Sequence, residues 1–251
     1  MVEYYVPFSS FKGSPPGRAI YGVVIGIITN DSTFPRVPGD SGNASSYPFP
    51  VVIKPVMRAG PMIRIMKRDP ELLKGYIELI RDFEKMGVRA ITTVCGFNVV
   101  FQEELTKVAN VPVFTSSLLQ LPLVQKMLPA GKKIGIMTSD AELFNEHKDD
   151  LLSNAGLDPS TPIVIRHMTV ERKNLSHHQP TQEIREKEIV DSAKKMVSDD
   201  PDVGAIVFEC HNLPTYGKAV QDATGLPVFD ILTLVDMIYG AIIKKRYTGI
   251  M

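Results

Sequence analysis

Residues 88–97 read VRAITTVCGF and residues 203–212 read VGAIVFECHN, and the fold follows from their being one segment written twice. At a fixed spacing of 115 positions, Val88, Ala90, Ile91 and Cys95 recur as Val203, Ala205, Ile206 and Cys210. The same spacing carries VPVFT (111–115) onto LPVFD (226–230) and sets Phe101 opposite Tyr216. An earlier pair, IGIITND (25–31) and IGIMTSD (134–140), matches at a spacing of 109. Self-similarity at a fixed offset marks a duplicated structural unit.

Each copy repeats one order of elements. The apolar runs at 25–31 and 134–140 have the continuous hydrophobicity of strands covered on both faces of a parallel sheet. Helices are expected at 70–87 and 181–199, the first with Leu72, Tyr76, Ile80 and Phe83 on one face. Asp69 and Pro70 suit the N-cap and first turn of that helix. The strand ending in cysteine follows, then a helix (FQEELTKVA; TYGKAVQDAT) and the PVF strand. Alternating strands and helices imply right-handed crossovers. The predicted fold is α/β, with two pseudo-symmetric parallel-sheet αβα (Rossmann-like) domains and the active site in the cleft between them. Residues 1–125 with 226–251 are expected to form the half carrying Cys95, and residues 126–225 the half carrying Cys210.

Composition narrows the function. The chain has 251 residues, and its 28 Lys plus Arg balance its 28 Asp plus Glu. No cationic excess attracts phosphate or anionic lipid, so neither nucleic acid nor membrane is an expected partner. The one dense basic cluster, Lys244-Lys245-Arg246, is expected in a last helical turn, where cations complement the helix dipole. No export signal or membrane span is legible, and the expected location is cytoplasmic. There the only two cysteines are free thiols. The sequons at Asn30, Asn43 and Asn174 read as chance matches, and His177-His178 as a polar surface loop.

Reactive groups in parallel sheets gather at the carboxyl ends of strands, where both cysteines fall. A single buried cysteine is usually a small hydrophobe. Two cysteines at the same place in both copies, among neighbours that have drifted, point to paired chemistry on one ligand. Each is followed by a tight turn into a helix, Gly96-Phe97-Asn98 and His211-Asn212, whose free amides are expected to lower the thiol pKa and attract a carboxylate. His211 is expected to lower it further. Two thiols without further clustered ligands make a poor metal site. Nucleotide, zinc-protease and serine-hydrolase motifs are absent from the sequence.

With these residues in view, the chain resembles the aspartate/glutamate/hydantoin racemase superfamily over about residues 20–240. The resemblance implies no cofactor, neither pyridoxal phosphate nor metal. It implies a small carboxylate substrate and, as a family trait, a possible homo-oligomer. Cys95 and Cys210 match the two catalytic cysteines, one thiolate removing the proton next to a carboxylate and the opposite thiol returning one. GDSGN (39–43), with Asp40 and Ser41, looks like the Asp-Ser-Gly of glutamate racemases. Thr138 and Ser139 match a position that holds substrate, although they also suit a helix cap.

Glutamate racemases follow their cysteines with Asn-Thr and Thr-His. Gly96-Phe97 and His211-Asn212 depart from that pattern, which weakens the case for glutamate. CGFNVVFQ (95–102) and LPTYGKAVQDATGLPVFD (213–230) look more like the branch that includes the algal dimethylsulfoniopropionate lyases. Phe97 and Tyr216 would suit an apolar or cationic substrate end. The leading expectation is an isomerase, a cofactor-independent racemase or epimerase of a small amino acid. The alternative is a β-eliminating lyase; hydantoin racemase, arylmalonate-type decarboxylase, maleate-type isomerase and a non-catalytic carboxylate binder are further options.

Overall fold

The computed structural model describes residues 20–168 and 181–250, so His177-His178 and Asn174 lie outside the described residues. The first half contains β1 (Ile25–Asn30), β2 (Val51–Val56), the short helix α1 (Ile63–Met66), α2 (Pro70–Met86), β3 (Ala90–Thr93), α3 (Gln102–Val108) and β4 (Val113–Phe114). After α4 (Leu121–Met127) the second half follows as β5 (Lys133–Thr138), α5 (Ala141–Glu146), α6 (Lys148–Asn154), β6 (Ile163–His167), α7 (Gln182–Asp199), β7 (Val203–Phe208), α8 (Gly217–Thr224) and β8 (Val228–Phe229). Helix α9 (Ile231–Ile242) ends the described secondary structure. The sheets run β2-β1-β3-β4 and β6-β5-β7-β8, every pair parallel. Two parallel sheets of identical order are what a duplicated αβ unit predicts.

Local chemistry explains the elements. In α2 the Asp69 carboxylate accepts from the Glu71 and Leu72 amides, and the helix stops at Gly87, whose φ of 86° is left-handed. Its buried face is Leu72, Tyr76, Ile80 and Phe83. The buried hydroxyls of Thr92 and Thr93 donate to the carbonyls of Phe114 and Thr115 at 2.7 Å, fastening β3 to the short β4 without an unpaired donor. Edge strands β2 and β6 lack counterparts in the repeat reading. Pro55 is tolerated in β2 because that strand has a neighbour on one side only.

One apolar core runs through both halves, joining Ile28, Ile80, Phe83, Phe97 and Phe101 to Ile134, Ile136, Phe144, Leu151 and Val207. Phe97 meets Phe144 edge-on at 6.3 Å, and Arg68 pairs with Asp150 at 2.8 Å. Two further clusters cover the outer faces of the sheets, and α9 packs with Ile25, Ile27 and Ala90 against the first.

Two expectations need correction. The chain returns to the first half after β8 and not at residue 226, because Val228 and Phe229 pair with β7 in the second sheet. Lys244-Lys245-Arg246 lies beyond the end of α9 at Ile242, exposed and outside any helix, and not in its last turn. Among the described residues, no helix is long and apolar enough to cross a membrane.

The equivalent glycines of β1 and β5 differ in what they touch. A Cβ on Gly26 would stand 2.8 Å from the Phe83 ring, whereas on Gly135 it would meet the flexible end of Met196 at 2.6 Å. Gly26→Ala should therefore cost about 1–3 kcal/mol, and Gly135→Ala less, in denaturant unfolding. Equal losses would show that Phe83 yields as easily as Met196.

Candidate active site

Both cysteines sit just past the carboxyl ends of equivalent central strands. Cys95 caps the tight turn 96–101 with extended backbone (φ −145°, ψ 123°), and its carbonyl accepts from the Asn98 amide at 3.0 Å. Cys210 is held likewise, its carbonyl accepting from the Leu213 amide at 3.1 Å. Both are free thiols, Cys95 only 8% exposed and Cys210 more open. They are near enough that ionisation of Cys210 raises the pKa of Cys95.

A third group stands with them that the sequence reading left out. Glu209, the residue before Cys210, is 1% exposed. Its Oε2 accepts from the Thr138 hydroxyl at 2.8 Å, and the Ser139 and Phe97 amides also stabilise its charge. Burial nevertheless dominates and pushes its pKa up to about 7. The fit is close, since a Cβ on Gly96 would lie 2.3 Å from both the carbonyl oxygen and Oε1 of Glu209. The glycine that departs from the racemase pattern thus makes room for a carboxylate from the other half. The available signal was an acid inside the apolar run VGAIVFEC, at the place where the first copy has Val94.

The expected lowering of the thiol pKa values is reversed. Amides of Phe97 and Asn98 favour the Cys95 thiolate, and the Asn212 amide and Ser139 hydroxyl favour that of Cys210. Desolvation and then the Glu209 charge outweigh them, raising Cys95 far above the ordinary thiol range and pushing Cys210 up to about 12. His211 supplies no positive charge. It is 2% exposed, and burial, with Arg36 adding to it against the Thr93 backbone, takes its pKa down to about 3.

The loop 36–47 closes on Cys210 from the first half. Asp40 is buried, paired with Arg36 at 2.8 Å, and accepts from the Gly42 amide at 2.7 Å. The Ser41 amide donates to the His211 carbonyl at 3.2 Å, and the Tyr47 hydroxyl donates to the Ser41 carbonyl at 2.7 Å. Gly39, with φ 97°, passes so close to Thr215 that a Cβ would be 2.5 Å from its Cα. The Ser41 hydroxyl, the Asn30 side-chain Oδ1 and both His211 ring nitrogens are buried without a partner at hydrogen-bond geometry. Leaving such groups unpaired costs about 1–3 kcal/mol each.

Other expected residues are placed differently. Thr138 and Ser139 turn toward Glu209 and Cys210. Asn98 is a buried brace, bonded to Tyr76 and to Thr93 at 2.8 Å. Asn212 presents its amide to Cys210. Phe97 and Tyr216 do not offer their rings to a substrate. Phe97 fills the shared core, where burial stabilises the ring, and only its amide joins the site. Tyr216 packs in the outer core of the second half, and its hydroxyl donates to Gln182 of α7 at 2.6 Å.

Duplicated parallel sheets whose strand ends bring buried thiols and a carboxylate together define an α/β enzyme fold with its site between halves. The family model of Asp/Glu/hydantoin racemases matches residues 50–235, and the chain belongs to that family. It is 30% identical over 244 residues to a dimethylsulfoniopropionate lyase of Durusdinium sp. clade D, covering 93% of this chain and 80% of the relative. Dimethylsulfoniopropionate lyase 7 of Emiliania huxleyi is also 30% identical, over 90% of this chain and 69% of its own. Allantoin racemase from Klebsiella pneumoniae shares the fold at 16% identity, with a TM-score of 0.60 over 90% of this chain and 96% of its own.

Two measurements check the site. Gly96→Ala should abolish turnover and lower the melting temperature, because the displaced atoms include backbone; an active, stable variant would refute the close approach of Glu209. Iodoacetamide should alkylate the native thiols at about pH 7.5 at least tenfold more slowly than free cysteine, since the thiolate is the nucleophile and both pKa values are raised.

Proposed function

We propose that this protein is a cofactor-independent lyase that removes the proton next to a small carboxylate and expels a β-leaving group, with dimethylsulfoniopropionate or a close β-onium carboxylate as substrate. The observation that carries this reading is the inequality of the two thiols. Racemisation asks both to exchange roles, each serving as base on its own face, and so favours matched environments. Here Cys210 is the more open, while Cys95 is nearly enclosed. That inequality suits a reaction run one way. The names of the relatives at 30% identity support the same choice.

In this reading the Cys210 thiolate takes the α-proton. The electron pair left behind forms the carbon–carbon double bond as the β-carbon–sulfur bond breaks. The sulfonium leaves as a neutral thioether, the carboxylate is retained in an unsaturated acid, and the proton stays on Cys210 until solvent removes it. Cys95 remains a thiol beside the carboxylate whose α-carbon becomes electron-rich. The Asn212 amide favours the Cys210 thiolate that acts as base, and the Phe97 amide is held by Cys95 and Glu209. The presence of one thiol in each copy favours a second reading, racemisation of a small amino acid with Cys95 as the opposite acid.

Proton NMR in heavy water separates the two. Dimethylsulfoniopropionate should give dimethyl sulfide and acrylate, and Cys210→Ser should lower kcat about 10²–10⁴-fold. Solvent deuterium entering an amino acid at its α-carbon, with dimethylsulfoniopropionate untouched, would replace the lyase reading with the racemase. Because the base is protonated below its raised pKa, kcat/KM should climb about tenfold per pH unit on the acid side of that pKa. A flat profile from pH 6 to 9, on the order of the range tested, would exclude Cys210 as the base.

A further inference from the structure

We propose that Glu209 adds to burial in keeping Cys95 and Cys210 as thiols before substrate binds, and that a substrate bearing a cationic group relieves the share that Glu209 contributes. Geometry carries the inference. Glu209 belongs to one copy only, since its counterpart is Val94, and it reaches across the junction to lie against Gly96 of the other half. It is enclosed, and the Thr138 hydroxyl with the Phe97 and Ser139 amides favours its anionic form. No arginine, lysine or histidine among the described residues pairs with it. A buried carboxylate without a cation is costly, and the cost falls when an opposite charge enters the same low-dielectric space.

The surrounding groups leave that role open. From the first half, Cys95 and Tyr76 face the site as neutral acids, and Asn98 is occupied by Tyr76 and Thr93. From the second, Cys210 adjoins, Asp140 adds a like charge to Glu209, and neutral His211 faces Thr93. From the loop, Asp40 acts on Cys210 in the same direction as Glu209, but Arg36 already neutralises it. Glu209 is thus the uncompensated anion common to both thiols. A sulfonium or ammonium group entering beside it lowers the thiol pKa values and so raises the thiolate fraction when substrate is present. The inference rests on proton abstraction by the thiols, and it holds whichever bond breaks afterwards.

The test is a pH titration of thiolate absorbance, which needs no turnover. In the wild-type protein, trimethylammoniopropionate should move the midpoint down by on the order of one pH unit, while its tert-butyl carbon isostere should not. Glu209→Gln, which keeps the acceptor for Thr138 and drops the charge, should lower the midpoint without ligand and raise the rate of iodoacetamide alkylation about tenfold. It should also bind the cationic and neutral analogues equally. Equal shifts from the two analogues in the wild type, or an unchanged midpoint in a folded Glu209→Gln, would overturn the proposal. If Glu209→Gln fails to fold, the wild-type comparison decides alone. Loss of the lyase reading would appear instead as absent dimethyl sulfide with the titration unaffected.

Discussion

The approach of Glu209 to Gly96 is the constraint on which the site depends. It joins a strand end of one copy to the turn after the thiol of the other, and it admits no side-chain atom at Gly96. Nearby bonds repeat the junction. The Ser117 hydroxyl donates to the Phe208 carbonyl at 2.7 Å, and the Ser41 amide to that of His211. Both halves therefore contribute backbone to one wall, beneath which the shared core from Phe83 to Phe144 locks their orientation. Catalytic groups held by different halves keep a fixed geometry only when the junction is as well packed as an interior.

Burial there decides the electrostatics. A carboxyl and two thiols, whose ordinary titration ranges lie several units apart, are enclosed together, and each is pushed toward its neutral form. The neutral His211 belongs to the same pattern. The amides that follow each cysteine pull the other way and lose, because they are few and the desolvation is nearly complete. In the proposed reaction the base therefore starts in its protonated form. That fits the proposed substrates, whose own charge changes the balance.

Symmetry and asymmetry have separate uses. The duplication supplies equivalent strand ends and hence a cleft approached from two sides. Divergence within it makes the two sides unequal: Val94 against Glu209, Gly96 against His211, and the loop with Asp40 and Ser41 arising only from the first half. Members of one family with different reactions can then share the frame and differ in the residues flanking the thiols.

The sequence by itself determined the duplication, the parallel α/β class, the cap of α2 at Asp69 and the pairing of Cys95 with Cys210. These are legible because repeat spacing, hydrophobic period and capping are local or periodic properties of the chain. It showed the loop 39–43 as a candidate, and it marked Gly96 as a departure without its cause. Only the tertiary structure decided that Glu209 packs against Gly96 of the other half, that burial overrides the helix-end amides, and that Phe97 and Tyr216 turn their rings into cores. Each of those depends on contacts between residues far apart in the chain, such as Gly96 with Glu209 or Ser117 with Phe208, where no local pattern records which atoms meet. Desolvation is a property of that assembled surrounding, so a thiol's charge state belongs to the fold and not to its neighbours in sequence.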